Sequence, residues 1–292
     1  MGPIGFVGLG AMGSQMAGRL LDSGYEVYGT NRTRPRAQAL VDRGLHWRDT
    51  PREVAEAADV TFSMVTDDSA LDAIASGPDG VLAGLMDGKV YVDMSTVSPR
   101  ASTALAVRVE ATGAAMVDAP VSGSIPQAQA GTLAIMVGGT PQAFATVEPL
   151  LRVLGQTVTH VGPSGRGLVL KLAINISLAE QTLAFSEGLL LAQRAGIDPH
   201  LAAEVMSTSS IGSPMLKARV PLILDLPEDA WFDVAMMHKD IRLAGQTADE
   251  LEITLPSVQV LDETLTMAGE LGYEHRDLAA LYEVLARASA GA

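Results

Sequence analysis

Residues Ile4 to Gly13 read Ile-Gly-Phe-Val-Gly-Leu-Gly-Ala-Met-Gly. The apolar run that starts at Ile4 ends in a Gly-x-Gly-x-x-Gly turn made by Gly8, Gly10 and Gly13, and a segment with helical spacing of apolar residues follows. The first glycine permits a tight turn, the second lets a pyrophosphate approach the backbone, and the third lets the helix pack closely on the strand. The N-terminus of that helix would face the negative charge. The alternative is an ordinary glycine-containing turn, but the flanking patterns favour a dinucleotide-binding βαβ unit. The cofactor contacts predicted in this turn are Gly8, Leu9, Gly10, Ala11 and Met12.

The composition sets limits on the class of protein. A chain of 292 residues is long enough for about two domains, and 48% hydrophobic residues with only 18% charged residues allow a large core. The absence of cysteine excludes disulfides, thiol nucleophiles and thiolate metal sites, and the scattered histidines predict no metal site. The net charge of −14 argues against binding to nucleic acid or to an anionic membrane surface.

No targeting or membrane segment is expected. The first predicted strand begins close to Met1, and Phe6 occupies the position where a myristoylation signal requires Ser or Thr. No apolar run reaches the roughly 18 residues that are needed to span a bilayer. We therefore expect a soluble, cytoplasmic protein that does not bind membranes.

The first half of the chain alternates strand-like and helix-like segments, which predicts a parallel, doubly wound sheet of the Rossmann type. Hydroxyl residues followed by proline mark the starts of three helices, at Thr50, Ser98 and Thr140. After Gly162 a long apolar helix is predicted over 167–195, and only helical patterns follow it. We expect a dinucleotide-binding domain over 1–163, a long interdomain helix over 164–195, and an all-α domain for substrate binding and oligomerisation over 196–292.

The loop after the second predicted strand bears on the choice of cofactor. In this fold an acidic residue at this point binds the ribose hydroxyls of NAD, but this chain has Asn31, Arg32 and Thr33 instead. Asn31 can bind a ribose oxygen, the planar guanidinium of Arg32 can pair with a 2′-phosphate, and Thr33 can add a hydroxyl. We predict NADP in preference to NAD. Arg34 and Arg36 are consistent with a solvated basic loop.

Four further segments carry candidate chemistry. They are Asp93–Pro99 (Asp-Met-Ser-Thr-Val-Ser-Pro), Asp118–Ser124 (Asp-Ala-Pro-Val-Ser-Gly-Ser), Gly165–Asn175 with Lys171 between, and His238–Ala244 (His-Lys-Asp-Ile-Arg-Leu-Ala). Together with the glycine turn, and in this order, they resemble the motifs of the β-hydroxyacid dehydrogenases. That family includes 3-hydroxyisobutyrate dehydrogenase and the tartronate, succinic and glyoxylic semialdehyde reductases, and more distantly 6-phosphogluconate dehydrogenase. The resemblance covers essentially the whole chain.

The resemblance implies roles for particular residues. Ser122 and the amides of Gly123 and Ser124 would hold a substrate carboxylate, although the family has glycine at position 124. If that position needs a positive φ, Ser124 would be strained. The resemblance also implies that Thr96 contacts the cofactor and that Lys239 approaches the cofactor or the active-site cleft. Asp240 is expected to be structural and Ser98 to be a helix cap. Val65 and Thr66, after a predicted strand, are weaker candidates for cofactor contacts.

Lys171 is the predicted general acid and base. It lies four residues before Asn175, so the two share a helix face, and apolar neighbours surround it in sequence. An ammonium group in such surroundings can donate or accept a proton, whereas the alternative is a lysine that reaches solvent. The family's first asparagine in this motif is Ile174 here, and the second is kept as Asn175.

The resemblance implies reversible hydride transfer between NADP(H) and a small carboxylate-bearing aldehyde or hydroxyacid, with Lys171, Asn175 and Ser122 as the catalytic set. The substrate contacts would come from Ser122, Gly123, Ser124 and Lys171, and the protein would be a homodimer or homotetramer. Two alternatives stay open. Imine reductases share the architecture, but usually carry Asp or Tyr where Lys171 stands, and a non-catalytic oligomeric binding module would be expected to lose the lysine.

Overall fold

The computed structural model describes residues 2–290. The chain divides into two compact units, with the boundary between Lys171 and Leu172. The first unit is an α/β sheet structure, and the second is helical. The fold class predicted from the sequence, a Rossmann-type sheet followed by a long helix and an all-α region, is confirmed.

The first unit is built on a nine-stranded sheet. Its strands are β1 (Ile4–Val7), β2 (Val27–Thr30), β3 (His46–Trp47), β4 (Val60–Ser63), β5 (Val90–Asp93), β6 (Ala115–Asp118), β7 (Val121–Ser122), β8 (Leu133–Gly139) and β9 (Gly155–Gly162). They lie in the order β3-β2-β1-β4-β5-β6-β8-β7, and β9 pairs with β8. Strands β1, β4 and β5 are buried along their whole length, as expected for strands covered on both faces.

The sheet is parallel only in part, which corrects the expectation of a parallel sheet throughout. Strands β3, β2, β1, β4, β5 and β6 run parallel, but β8 runs antiparallel to both β6 and β7. The link from β6 to β8 contains only β7 and a helix of six residues, so it lacks the crossover helix that usually returns a chain to a parallel strand. The longer helix after β8 makes such a crossover, and β9 is parallel to β8.

The helices of the first unit connect these strands. They are α1 (Ala11–Asp22), α2 (Gln38–Asp42), α3 (Pro51–Ala57), α4 (Asp68–Ala75), α5 (Val81–Gly84), α6 (Pro99–Glu110), α7 (Ile125–Ala130) and α8 (Pro141–Leu154), with a 3-10 turn at Arg34–Ala37. The predicted caps are confirmed, because the side chains of Thr50, Ser98 and Thr140 each accept a hydrogen bond from the backbone N–H three residues later.

The long helix α9 (Arg166–Arg194) begins in the first unit and continues into the second. The second unit also contains α10 (Pro199–Thr208), α11 (Pro214–Leu224), α12 (Val234–Glu250), α13 (Pro256–Glu270), α14 (Leu281–Ala288) and a 3-10 turn at Leu278–Ala280. Up to residue 290 this unit has no strand, only one isolated bridge between Asp233 and Asp277. Its main core forms around α12 and α13, where Met237, Ile241 and Leu261 are buried.

Helix α9 corrects the expectation that no segment is apolar enough to span a membrane. Over 2–290 it is the one helix whose length and composition meet that requirement, and 44% of its most apolar window is buried inside the protein. The core helix of a globular protein meets the same requirement, so this finding alone does not indicate a membrane protein.

Candidate active site

The glycine turn (Gly8–Gly13) has the geometry of a phosphate-binding turn. Gly8 has a φ of 93°, and a Cβ atom there would lie 2.3 Å from the carbonyl oxygen of Met64. A Cβ atom at Gly13 would lie 2.0 Å from the carbonyl oxygen of Gly8. A Cβ atom at Gly10, by contrast, would meet no atom within 4 Å, so this face of the backbone is open to a ligand. The first turn of α1 has neither a side-chain cap nor an acidic residue, and the residues present therefore fit a pyrophosphate.

Asn31 ties the end of β2 to the glycine turn. Its Oδ1 accepts a hydrogen bond from the N–H of Leu9 at 3.2 Å, and its Nδ2 donates to the carbonyl oxygen of Thr33 at 3.1 Å. Its amide therefore holds the loop as well as being a candidate for a ribose contact. Arg32 and Thr33 are exposed beside it.

The arginines of this loop differ in what they contact. The guanidinium of Arg34 lies 5.2 Å from the centroid of the Trp47 ring and 3.9 Å from Asp49. The side chains of Arg32 and Arg36 form no hydrogen bond or ion pair with any residue in the described range 2–290. These two are therefore the ones whose guanidinium groups are not already engaged.

A buried network joins the ends of β4 and β5. Asp93 Oδ1 accepts hydrogen bonds from the hydroxyls of Ser63 and Ser95, at 2.7 and 2.6 Å. The hydroxyl oxygen of Ser95 in turn accepts from the N–H of Val65 at 2.9 Å. Burial raises the pKa of Asp93 to about 6, because its charged form is desolvated. The network holds the loops that carry Val65, Thr66 and Thr96, the predicted cofactor contacts at this edge.

The segment after β6 places the predicted substrate contacts in order. Ser122 ends β7, is partly exposed, and its hydroxyl makes no hydrogen bond with any residue in the described range. Gly123 takes the positive φ, at 129°, whereas Ser124 has a φ of −122°. The anticipated strain at Ser124 is therefore absent. Its backbone N–H and its hydroxyl both donate to Gln127 Oε1, each at 2.9 Å, which fixes the start of α7.

Asp118, at the end of β6, contacts the start of α9. Its Oδ1 accepts from the N–H of Gly165 at 2.6 Å, and its Oδ2 accepts from the N–H of Leu168 at 3.1 Å. The side chain is fully buried, and desolvation raises its pKa above the ordinary value. No role was predicted for this residue from the sequence, although it begins one of the quoted motifs.

Lys171 and Asn175 are both buried on α9, one helical turn apart, with exposures of 8% and 1%. Asn175 Nδ2 donates to Asp240 Oδ2 at 2.6 Å, and Lys239 Nζ lies 2.8 Å from Asp240 Oδ1. Asp240, which was expected to be structural, is a buried carboxylate between two predicted functional residues. A chain distance of 65 residues separates it from Asn175, so no local pattern indicated the pairing.

Lys239 also lines a cavity of 480 Å³ between α12 and α13, together with His238, Arg242 and Glu270. His238 Nε2 and Arg242 Nε lie 2.7 and 3.0 Å from the same oxygen of Asp262. Lys239 is therefore surrounded by both cationic and anionic side chains of the second unit.

The chain matches known proteins over nearly its whole length. A family model of the NAD binding domain of 6-phosphogluconate dehydrogenase matches residues 3–162, and a model of the NAD-binding region of NADP-dependent 3-hydroxyisobutyrate dehydrogenase matches residues 165–285. The chain is 35% identical to 2-hydroxy-3-oxopropionate reductase from Escherichia coli, over 97% of this chain and 96% of that one. It is 34% identical to glyoxylate/succinic semialdehyde reductase 2 from Arabidopsis thaliana, over 97% of this chain and 79% of that one.

Solved structures extend the likeness to three dimensions. Psf3, solved in complex with NADP+ and 2-OPP, matches with a TM-score of 0.89 and 28% identity, covering 97% of this chain and 99% of that one. An imine reductase from Myxococcus stipitatus, solved with NAD+, matches with a TM-score of 0.67 at 19% identity, covering 98% of this chain and 99% of that one, and shows the shared fold alone. The chain belongs to the 3-hydroxyisobutyrate dehydrogenase family of NAD(P)-dependent β-hydroxyacid dehydrogenases.

Proposed function

We propose that the chain interconverts a small β-hydroxyacid and its semialdehyde or keto acid, with NADP(H) as cofactor and Lys171 as general acid and base. The observation that carries the proposal is the burial of Lys171 on α9, one turn before the buried Asn175. A lysine that reached solvent would be exposed, so the structure supports a role inside the protein. Burial also keeps water away from the ammonium group, so that its proton is exchanged with the substrate and not with solvent.

The residues divide the chemistry among them. When bound, the nicotinamide supplies or accepts the hydride. In the reducing direction Lys171 donates a proton to the carbonyl oxygen, and its charge stabilises the negative charge that develops there. Ser122 and the amide of Gly123 hold the substrate carboxylate, which limits the distance over which hydride must pass. The amide of Ser124 joins them only when its N–H leaves Gln127 Oε1, to which it donates in this structure. The hydroxyl of Ser122, which bonds to no residue within 2–290, supports this role.

Asn175 acts by orienting Lys171. Its Nδ2 donates to Asp240, so the bond fixes which end of the amide is the donor. The carbonyl end is then the one that can accept a hydrogen bond from an ammonium group on the same helix face. Asp240 is a positioning residue in this proposal, because it acts on Asn175 and not on the substrate. Lys239 remains a predicted cofactor contact.

The preference for NADP rests on the loop after β2. The loop lacks the carboxylate that would bind the ribose hydroxyls of NAD and would repel a 2′-phosphate. Arg32 is exposed beside Asn31, and its guanidinium has no partner among residues 2–290, which suits a phosphate. The NADP+ bound to the similar structure Psf3 supports the same choice.

Oxidation of NADPH and of NADH, followed optically, tests the proposal. The substrates are succinic, methylmalonic and tartronic semialdehydes and glyoxylate, the class that the relatives' names point to. We expect turnover of at least one of them, faster with NADPH. A cyclic imine in the same panel tests the alternative activity. Imine turnover without carbonyl turnover, or tight NADPH binding with no turnover of any substrate, would contradict the proposal.

The variant Lys171→Ala tests the catalytic assignment. We expect the rate to fall by about 10²- to 10⁴-fold, the usual contribution of a general acid, with NADPH binding kept. The matched control is Lys217→Ala, which removes an exposed lysine on α11 and should leave the rate unchanged. A near-wild-type rate in Lys171→Ala would show that another group transfers the proton.

The division of labour expected from the sequence belongs to the same proposal. Residues 1–163 bind the dinucleotide, α9 provides Lys171 and Asn175, and residues 196–292 serve substrate binding and oligomerisation. Exposed apolar side chains in the second unit, with Leu191 at 75% exposure, support a homodimer or homotetramer. A cytoplasmic location is part of this proposal too.

A further inference from the structure

The start of α9 is capped by a residue that lies far away in sequence. Asp118 precedes Gly165 by 47 residues and Leu168 by 50 residues. Because α9 begins at Arg166, these two N–H groups belong to the N-cap and to the third residue of the helix, which have no partner within the helix. In a capping box, the side chains of the N-cap and of the third helical residue accept the hydrogen bonds of these two N–H groups. Here the N-cap is a glycine, and one carboxylate from a strand accepts both bonds.

The carboxylate of Asp118 is enclosed by two glycines. A Cβ atom at Gly138 would lie 2.5 Å from Asp118 Oδ1, and a Cβ atom at Gly167 would lie 2.7 Å from Oδ2. A side chain at either position would therefore collide with the carboxylate, which is fully buried. Its negative charge also faces the positive end of a helix of 29 residues. The contact is consequently buried as well as electrostatically favourable.

The two segments that meet at Asp118 carry the groups of the proposed reaction. Ser122 follows Asp118 along the backbone after a short turn, and Lys171 follows Leu168 by less than one helical turn. We propose that Asp118 is a positioning residue, which sets the start of α9 against the end of β6 and thereby fixes Lys171 relative to the substrate-binding segment Ser122–Ser124. This inference rests on the proposed function of Lys171 and adds a second requirement to it.

Asp118→Asn tests the inference with almost no change in size. The new amide has one acceptor and one donor end, so its NH₂ must oppose one of the two N–H groups of the helix. We expect kcat to fall by about tenfold or more, since displacement of a reacting group by about 1 Å can cost up to 10²-fold in rate. The Kd for NADPH and the KM for the aldehyde should stay within about twofold, and the pH profile of kcat should shift with the displaced lysine.

Thr140→Ala is the control for loss of a helix cap. Thr140 caps α8 in the same unit, where its hydroxyl oxygen accepts from the N–H of Ala143 at 3.1 Å. This variant should lower Tm but keep kcat in the folded protein. If Asp118→Asn does not fold, Gly138→Ala displaces the same carboxylate from β8 and should lower kcat in the same selective way.

The outcomes separate the inference from the proposed function. A fall in Tm with unchanged kcat and pH profile, as in Thr140→Ala, would show that Asp118 is a structural cap only. Lys171→Ala is measured alongside. An inactive Lys171→Ala with a fully active Asp118→Asn would overturn the positioning role alone, whereas an active Lys171→Ala would overturn the proposed function on which it rests.

Discussion

At the scale of single residues, neighbouring arginines in the loop after β2 differ in the contacts that their guanidinium groups make. Arg34 is held against the Trp47 ring and Asp49, and it would lose these contacts if it moved to a ligand. Arg32 has no such contacts to lose among residues 2–290, and the hydrogen bonds of Asn31 fix the backbone on which it stands. These contacts support the proposal that Arg32, and not Arg34, binds a 2′-phosphate.

We expect Arg32→Ala to weaken NADPH binding by about tenfold or more, because a charge-assisted hydrogen bond to a phosphate is lost, while NADH binding changes little. Fluorescence titration with each nucleotide measures both values. Arg36→Ala is the matched control, since Arg36 is also exposed and unpaired in the described range. An equal loss for NADH and NADPH would mean that Arg32 supports the loop and does not read the phosphate.

At the scale of elements, the ends of β4 and β5 are joined through Asp93, whose two carboxylate oxygens differ in their hydrogen bonding. Oδ1 accepts from Ser63 and Ser95, but Oδ2 is buried with no hydrogen-bond partner in the described range. Burial raises the pKa of Asp93 in the folded protein to about 6, above its ordinary value of 3.8. Between these two values the folded state holds a proton that the unfolded chain has released, so stability falls as the pH rises through this window.

Asp93→Asn should remove this loss, because the amide oxygen can keep the bonds from the serines while the other end carries no charge. We expect the free energy of unfolding of Asp93→Asn, relative to the wild type, to rise by roughly 2 kcal/mol between pH 4 and pH 7. Urea unfolding at several pH values measures it. Asp87→Asn, at an exposed position, serves as control and should parallel the wild type. A constant difference at every pH would refute the linkage.

The same scale shows what the sequence could and could not predict. The strand, glycine turn and helix at residues 4–22 follow from local patterns, as do the helix starts at Thr50, Ser98 and Thr140, because capping and turn chemistry act within a few residues. Two-residue strands such as β3 and β7 have no period to recognise, and the helices α4, α5 and α7 are too short for a helical period to stand out.

Contacts between segments that are distant in sequence could not be predicted, for a different reason. The cap that Asp118 gives to α9 and the bond from Asn175 to Asp240 depend on how strands and helices pack, which no spacing in the sequence encodes. The residues named as site candidates came from motifs, and their roles remain predictions. The hydrogen-bond partners that hold those residues in place could not be predicted from the sequence.

At the scale of the whole molecule, charge and apolar surface act in opposite directions. The net charge of −14 makes copies of the chain repel one another. The second unit nevertheless exposes large apolar side chains on α9, α10 and the segment after it, at Leu191, Leu201, Val205 and Ile211. Their burial between copies would offset the repulsion, and the balance should shift further toward association as salt screens the charge.

Sedimentation velocity tests this balance. We expect the wild type to sediment as a dimer or tetramer of the 30.4 kDa chain, and Leu191→Lys or Val205→Lys to lower the mass. Val107→Lys is the control, because it places the same charge at an exposed position on α6 in the first unit. A wild type that sediments as a monomer at all salt concentrations would contradict the proposed assembly.

The cap on α9 also restricts how this chain can be recombined with its relatives. A chimaera joined anywhere between residues 118 and 165 takes the carboxylate from one parent and the helix start from the other. Such a hybrid keeps the cap only if the parent that supplies the helix has a glycine at position 167. If the junction lies before residue 138, the same parent must also have a glycine there. Junctions before Asp118 or after Leu168 inherit the whole arrangement from one parent. Libraries of hybrid enzymes should therefore show a gap in functional crossover points across this interval.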